Sequence, residues 1–161
     1  MYLKRIEKEL KEFHDNCEKE EFDGIFAGPV DDSNMLEWEA SITGPEESPY
    51  EGGNFNLRIF FPRDYPFRPF KVIFDTKIFH PNFSQYEGRN ICCHSLSYLG
   101  DGWSWSPDIT ISKLLKDIQD LLKNPDPDTG CVNLEAAKLY KKDRYKFYQI
   151  AKEWTDKYAI E

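Results

Sequence analysis

The chain has 161 residues, 40% of them hydrophobic and 16% aromatic, a composition typical of one globular domain that buries its own core. A formal net charge of −8 without a basic cluster argues against nucleic-acid binding. No apolar run is long enough for a membrane span, and the charged N-terminus is unlike a secretory signal.

The N-terminal residues have the spacing of an amphipathic helix that ends near Asn16. Its apolar residues recur at intervals of three and four: Leu3, Ile6, Leu10 and Phe13. The lysines, arginine and glutamates between them, Glu9 included, are expected to form a solvated face with helical ion pairs.

From residue 23 to residue 74 the period of the pattern changes to two. Residues 36–42 and 54–59 alternate apolar and polar side chains, while 25–30 and 71–74 supply flanking strands. Helical spacing returns in residues 111–122, 134–142 and 144–158. The sequence therefore predicts an α+β fold: a four-stranded antiparallel meander sheet with an N-terminal helix and three C-terminal helices, in a single domain over residues 1–161.

The irregular segment from His80 to Pro107 carries the candidate chemistry. It places Asn82 ten residues before Cys92; a thiolate is the reactive form of cysteine, and an amide can donate to a developing oxyanion. Adjacent cysteines such as Cys92 and Cys93 have Cα atoms about 3.8 Å apart, too close for an ordinary disulfide.

The remaining cysteines, Cys17 and Cys131, complete no metal-ligand spacing, so we expect no metal and no cofactor. Cys17 is expected to be a small buried hydrophobic residue. Unpaired thiols favour a reducing compartment, cytosolic or nuclear.

The same segment resembles the active site of the ubiquitin-conjugating enzymes. His80-Pro81-Asn82 precede Gly88, Ile91 and Cys92, and Trp105-Ser106-Pro107 follow. The likeness extends over the runs 44–53 and 61–67 and over nearly the whole chain. It implies the ubiquitin-conjugating fold and a core-domain enzyme that accepts ubiquitin as a thioester from an activating enzyme. The acyl group then passes to a substrate lysine with a ubiquitin ligase, or to a ligase cysteine.

The resemblance also implies roles for individual residues. Cys92 carries the thioester, and Cys93 is interpreted as a packing residue. Asn82 either stabilises the oxyanion or hydrogen-bonds its own loop, and both alternatives stay open. Asp128 or Thr129 stands where relatives ease proton loss from the attacking lysine; we choose Asp128, with a purely turn-forming role as the alternative. His80 is interpreted as an anchor rather than a base.

A partner surface follows from the same resemblance. The residues that match the family's ligase-binding surface are Arg5, Lys8, Phe67, Ser106 and Pro107. The basic helix face would also meet the activating enzyme, and a phenylalanine flanked by Pro66 and Pro69 is expected to be exposed. The expected partners are ubiquitin, the activating enzyme and a ligase, with no nucleic acid, no membrane and a monomeric chain.

Several residues depart from the family pattern. His94 replaces an acid, Asp108 replaces a small residue, and Lys116 and Asp120 stand where relatives contact the bound ubiquitin. Residues 94–104 are interpreted either as a passive insertion or as a gate for the acceptor lysine.

Three other functions compete with ubiquitin conjugation. Conjugation of another ubiquitin-like modifier is the nearest. A non-catalytic scaffold typically lacks the cysteine, whereas Cys92 is present. A thiol protease lacks a histidine paired with an orienting Asn or Asp at a recognisable spacing.

Overall fold

The computed structural model describes residues 2–84, 105–129 and 132–160, together with the backbone of residues 89–90. Its helices are α1 (Tyr2–Asn16), α2 (Ile111–Lys123), α3 (Leu134–Lys142) and α4 (Arg144–Tyr158), with a 3₁₀ turn at Glu20–Phe22. Its strands are β1 (Ile25–Asp31), β2 (Asn34–Thr43), β3 (Asn54–Phe60), β4 (Lys71–Phe74) and β5 (Arg89–Asn90). None of the helices in these ranges is long and apolar enough to cross a membrane.

The strands form one antiparallel sheet in the order β1-β2-β3-β4-β5. The predicted four-stranded meander and its flanking helices are confirmed. The two-residue β5 adds a short edge, in which Asn90 pairs with Ile73 of β4. This edge brings the chain back beside the sheet two residues before Cys92 in sequence.

The alternation in β2 and β3 sends one set of side chains into a single core. Trp38 and Ile42 of β2 and Leu57 and Ile59 of β3 are fully buried there. The apolar stripe of α2 packs into the same core: Leu114, Leu115, Ile118, Leu121 and Leu122. Helix α2 begins where the side chain of Thr110 accepts a hydrogen bond from the backbone N–H of Lys113 at 3.2 Å.

Two expectations about side-chain exposure are wrong. Glu9, expected on the solvated face of α1, is only 2% exposed because its carboxylate accepts hydrogen bonds from other segments of the fold. Cys17, expected to be buried, is exposed because it lies directly beyond α1. Its backbone N–H closes the last turn on the carbonyl of Phe13 at 2.9 Å, and the chain then leaves the helix.

Candidate active site

The segment from Phe79 to Asn82 is hydrogen-bonded to four other parts of the fold: the turn that contains Tyr50, the residues just before α3, the last turn of α2 and the loop after α2. The hydroxyl of Tyr50 donates to the carbonyl of Phe79 at 2.7 Å. The carbonyl of Pro81 accepts from the backbone N–H groups of Val132 and Asn133, at 2.9 and 3.1 Å, just before α3. The segment is therefore a fixed point between the sheet and the C-terminal helices.

His80 anchors this segment to the last turn of α2. The ring is fully buried, and its Nε2 donates to the carbonyl of Leu121 at 2.8 Å, while Nδ1 accepts from the backbone N–H of Asn82 at 3.0 Å. These two contacts require the neutral ring with its proton on Nε2. Burial lowers the pKa of His80 to about 3, so the ring is neutral at physiological pH. The anchoring role is confirmed.

Asn82 holds the loop that follows α2. Its side chain is 1% exposed. Nδ2 donates to the carbonyl of Asp126 at 2.8 Å and to that of Thr129 at 3.4 Å, and Oδ1 accepts from the backbone N–H of Asp126 at 2.9 Å. These are the contacts that the structural alternative requires, although with the loop after α2 rather than with the residue's own loop. To stabilise an oxyanion, Nδ2 would have to donate to it the hydrogen that it now donates to the carbonyl of Thr129, the longer of its two contacts.

Asp128 lies on the loop that Asn82 holds. The carboxylate of Asp126 accepts from the backbone N–H groups of Asp128 and Thr129, both at 3.1 Å, which folds the loop into a turn. The side chain of Asp128 is 69% exposed and forms an ion pair with Lys141 of α3. Asn82 and Asp128 are thus brought together by backbone contacts, and the carboxylate of Asp128 faces solvent.

Cys92, Cys93, His94, Cys131 and the segment 94–104 lie outside the described residues, so their predicted roles stay predictions. Across the three long described ranges, no group of three His, Cys, Asp or Glu side chains converges as metal ligands would.

The residues predicted to bind partners come from three segments that contact one another. Phe67 is 69% exposed, as its flanking prolines led us to expect. Arg5 of α1 donates from Nη2 to the carbonyl of Ile109 at 3.4 Å. Trp105 donates from Nε1 to the carbonyl of Pro66 at 2.9 Å, which joins the loop before α2 to the turn that carries Phe67.

We call the five residues Arg5, Lys8, Phe67, Ser106 and Pro107 the partner surface. Lys8 and Pro107 are exposed, and Arg5 and Ser106 are partly exposed. The hydroxyl of Ser106 donates to the carboxylate of Asp108, and this bond lowers the pKa of Asp108. An exposed carboxylate therefore borders the basic side of this surface.

A family model described as ubiquitin-conjugating enzyme matches residues 5–155. The chain belongs to the ubiquitin-conjugating enzyme family. A solved ubiquitin conjugating enzyme structure from Plasmodium yoelii is similar at 43% identity, with 99% of this chain and 96% of that chain covered and a TM-score of 0.81. The E2 domain of a Toxoplasma gondii ubiquitin conjugating enzyme is similar at 36% identity, with 98% and 99% covered and a TM-score of 0.79.

As a ubiquitin-conjugating enzyme, the chain is a conjugating transferase, of a family whose members interact in general with ubiquitin, an activating enzyme and a ligase. Lys116 and Asp120, which the sequence analysis predicts to depart from the family pattern, lie on α2. Lys116 donates from Nζ to the carbonyl of Glu21 at 2.7 Å and lies 3.8 Å from the carboxylate of Asp120. Because the lysine is engaged within the chain, this face of α2 is a polar surface supported by its own contacts.

His80 makes the stability of this ubiquitin-conjugating enzyme depend on pH. Its pKa is about 3 in the folded chain, against about 6.5 when unfolded, so the unfolded chain takes up the proton first as pH falls. The contribution of the neutral His80 ring to the free energy of unfolding is complete above pH 6.5 and is lost as pH falls towards 3. We expect the free energy of unfolding to fall by about 2–3 kcal/mol between pH 7 and pH 4.5.

Urea unfolding measured across that range checks this prediction, with His80→Gln as the comparison. The variant is expected to start from a lower stability and to lose less of it over the same interval. A wild-type stability that stays flat from pH 7 to 4.5 would contradict the neutral, buried ring.

Proposed function

We propose that this enzyme accepts ubiquitin as a thioester on Cys92 from an activating enzyme and transfers it to substrate lysines with a ubiquitin ligase, in the cytosol or nucleus. The observation that carries the proposal is that Asn82 holds the loop after α2, which contains Asp126 and Asp128, by hydrogen bonds to the backbone of Asp126. That attachment joins the segment leading to Cys92 to a loop with an exposed carboxylate. Membership of the family supports the reaction class.

The first step is an exchange between two thiols. The thiolate of Cys92 attacks the acyl carbon of the thioester on the activating enzyme, and the cysteine of that enzyme leaves as a thiolate. No oxidant and no metal enter the balance. The product keeps an acyl carbon that stays open to an amine, because a thiolate is a good leaving group.

In the second step, the neutral amine of a lysine attacks the same carbon. A tetrahedral oxyanion forms, the amine loses a proton, and the carbon–sulfur bond breaks to return the thiolate of Cys92. A solvated lysine titrates near 10.4, so a nearby anion helps to attract the ammonium and to take up its proton. Asp128 has the exposure that such a group needs.

The partner surface supports recruitment of a ligase. It combines an exposed aromatic ring, Phe67, with the basic side chains of Arg5 and Lys8 on α1. Large exposed apolar side chains next to charge are typical of interaction sites. Asp108, beside Ser106, adds a negative charge at the border, which favours a ligase with a basic side chain at that position.

Charging with different modifiers tests the proposed function. The protein is incubated with ATP and ubiquitin and its activating enzyme, and in parallel with other ubiquitin-like modifiers and theirs. We expect a reductant-sensitive adduct with ubiquitin, which discharges onto free lysine. Discharge onto free cysteine is followed separately.

Charging only by another modifier would reassign the substrate to that modifier. No adduct with any modifier would favour a scaffold. An adduct that discharges onto cysteine but never onto lysine would contradict the lysine-transfer step.

A further inference from the structure

A single buried carboxylate joins the segments that form the partner surface. Oε1 of Glu9 accepts from the backbone N–H of Ile111 at 2.8 Å. Oε2 accepts from Arg5 Nε at 3.0 Å and from the hydroxyl of Tyr65. Buried carboxylates are costly unless they are paired and hydrogen-bonded, and Glu9 satisfies both conditions.

Each contact of Glu9 reaches a different part of that surface. Arg5 belongs to it directly. Tyr65 lies two residues before Phe67, and Ile111 lies four residues after Pro107. The carboxylate is therefore a point at which α1, the turn that carries Phe67 and the start of α2 meet through hydrogen bonds.

The surrounding rings make the arrangement stiff. Tyr65 packs edge-on against Phe61 with ring centroids 4.8 Å apart, and its ring is tilted against that of Trp105, with centroids 6.2 Å apart. The guanidinium of Arg5 lies 5.6 Å from the centre of the Tyr65 ring. A loss of the carboxylate would leave the tyrosine hydroxyl and the Ile111 N–H without this acceptor, and both segments could then shift against α1.

We propose that Glu9 is a positioning residue for ligase recognition, which holds Phe67 and Pro107 in a fixed relation to Arg5. Glu9 is itself buried and touches no ligase; it acts through the residues that do. The ligase part of this inference rests on the proposed function, whereas the link between the three segments rests on the contacts of Glu9 alone.

The test compares Glu9→Gln with Tyr65→Phe, which removes only the hydroxyl, and with Glu7→Gln. Glu7 is exposed and points from another side of α1, so it is the matched control for a lost negative charge. Each variant is charged with ubiquitin and discharged onto free lysine, without and with increasing amounts of a RING ligase domain that accelerates wild-type discharge.

We expect Glu9→Gln to raise the RING concentration for half-maximal acceleration about tenfold, the size expected for loss of a charged hydrogen bond. Charging, unstimulated discharge and the maximal rate are expected to match wild type. Tyr65→Phe should show a smaller shift and Glu7→Gln none.

In a Phe67→Ala background, Glu9→Gln should raise the half-maximal RING concentration less than twofold further, because the ring that it positions is gone. The proposal would be overturned if Glu9→Gln raised the half-maximal RING concentration tenfold in both backgrounds. It would also be overturned if Glu9→Gln slowed discharge equally with and without the RING domain.

Amide hydrogen exchange gives a readout that needs neither ubiquitin nor a ligase. We expect faster exchange in residues 65–68 and 109–111 of Glu9→Gln and Tyr65→Phe, with β2 and β3 unchanged. Unchanged exchange in both segments overturns the positioning role. If the wild-type protein is not charged by ubiquitin, or its discharge is not accelerated by RING domains, the proposed function fails. Hydrogen exchange still decides whether Glu9 links the two segments to α1. Should Glu9→Gln fail to fold, Tyr65→Phe carries both readouts.

Discussion

Cys92→Ala is expected to abolish the thioester adduct, whereas Cys93→Ala is expected to form it at the wild-type rate. The physical reason is that no other side-chain type in this segment supplies a comparable nucleophile at neutral pH, and the family motif selects the first cysteine of the pair. The measurement is a non-reducing gel after incubation with ATP, ubiquitin and the activating enzyme, repeated with reductant.

Cys17 is the natural control for this experiment because it is exposed. Desolvation raises the pKa of its thiol, so it holds less thiolate at neutral pH and should not be charged. Cys17→Ala is therefore expected to behave like wild type. An adduct that survives on Cys92→Ala and disappears from a Cys92→Ala, Cys93→Ala double variant would move the nucleophile to Cys93.

Asn82→Ala is expected to leave charging near normal and to slow discharge onto lysine by about 10²–10³, the usual loss for one oxyanion donor. The structure adds a second expectation. The variant loses both hydrogen bonds with the backbone of Asp126, so its free energy of unfolding should fall by about 1–3 kcal/mol. Single-turnover discharge and urea unfolding measure the two effects. Charging that falls as far as discharge would show a structural role alone.

Asp128→Ala separates the two routes by which Asn82 could act. The side chain of Asp128 is exposed, so its removal leaves no cavity and should not lower stability noticeably. If Asn82 works by holding the loop, the double variant should discharge little more slowly than Asn82→Ala. If Asn82 donates directly to the oxyanion, the two losses should multiply.

The fold was predictable because each element has a clear period. The alternation in β2 and β3 matches their buried faces, and the α2 stripe at spacings of three and four is the one that enters the core. The strand β5 was not predictable, since two residues carry no period of their own. Its position follows from pairing with the end of β4.

The site was predictable in residue type and only partly in contacts. The family pattern pointed to Asn82 and Asp128, yet nothing local indicates that the amide of Asn82 bonds to a backbone 44 residues later. The burial of Glu9 had a usable signal. It lies three residues after Ile6 and four before Phe13, both buried, so it belongs to their stripe despite its charge. The prediction of a solvated side chain followed the charge of Glu9 rather than its position in the helix.

Helix α2 is fastened at both ends: Glu9 accepts from the N–H of Ile111, and the ring of His80 donates to the carbonyl of Leu121. The helix thus sets the distance between the partner surface and the segment from Phe79 to Asn82, with about 15 Å along its axis between the two fastened residues. One inserted or deleted residue within it would turn one end by about 100° against the other and break one fastening. Relatives of this chain should therefore keep the length of α2 and differ in length only in the loops around it.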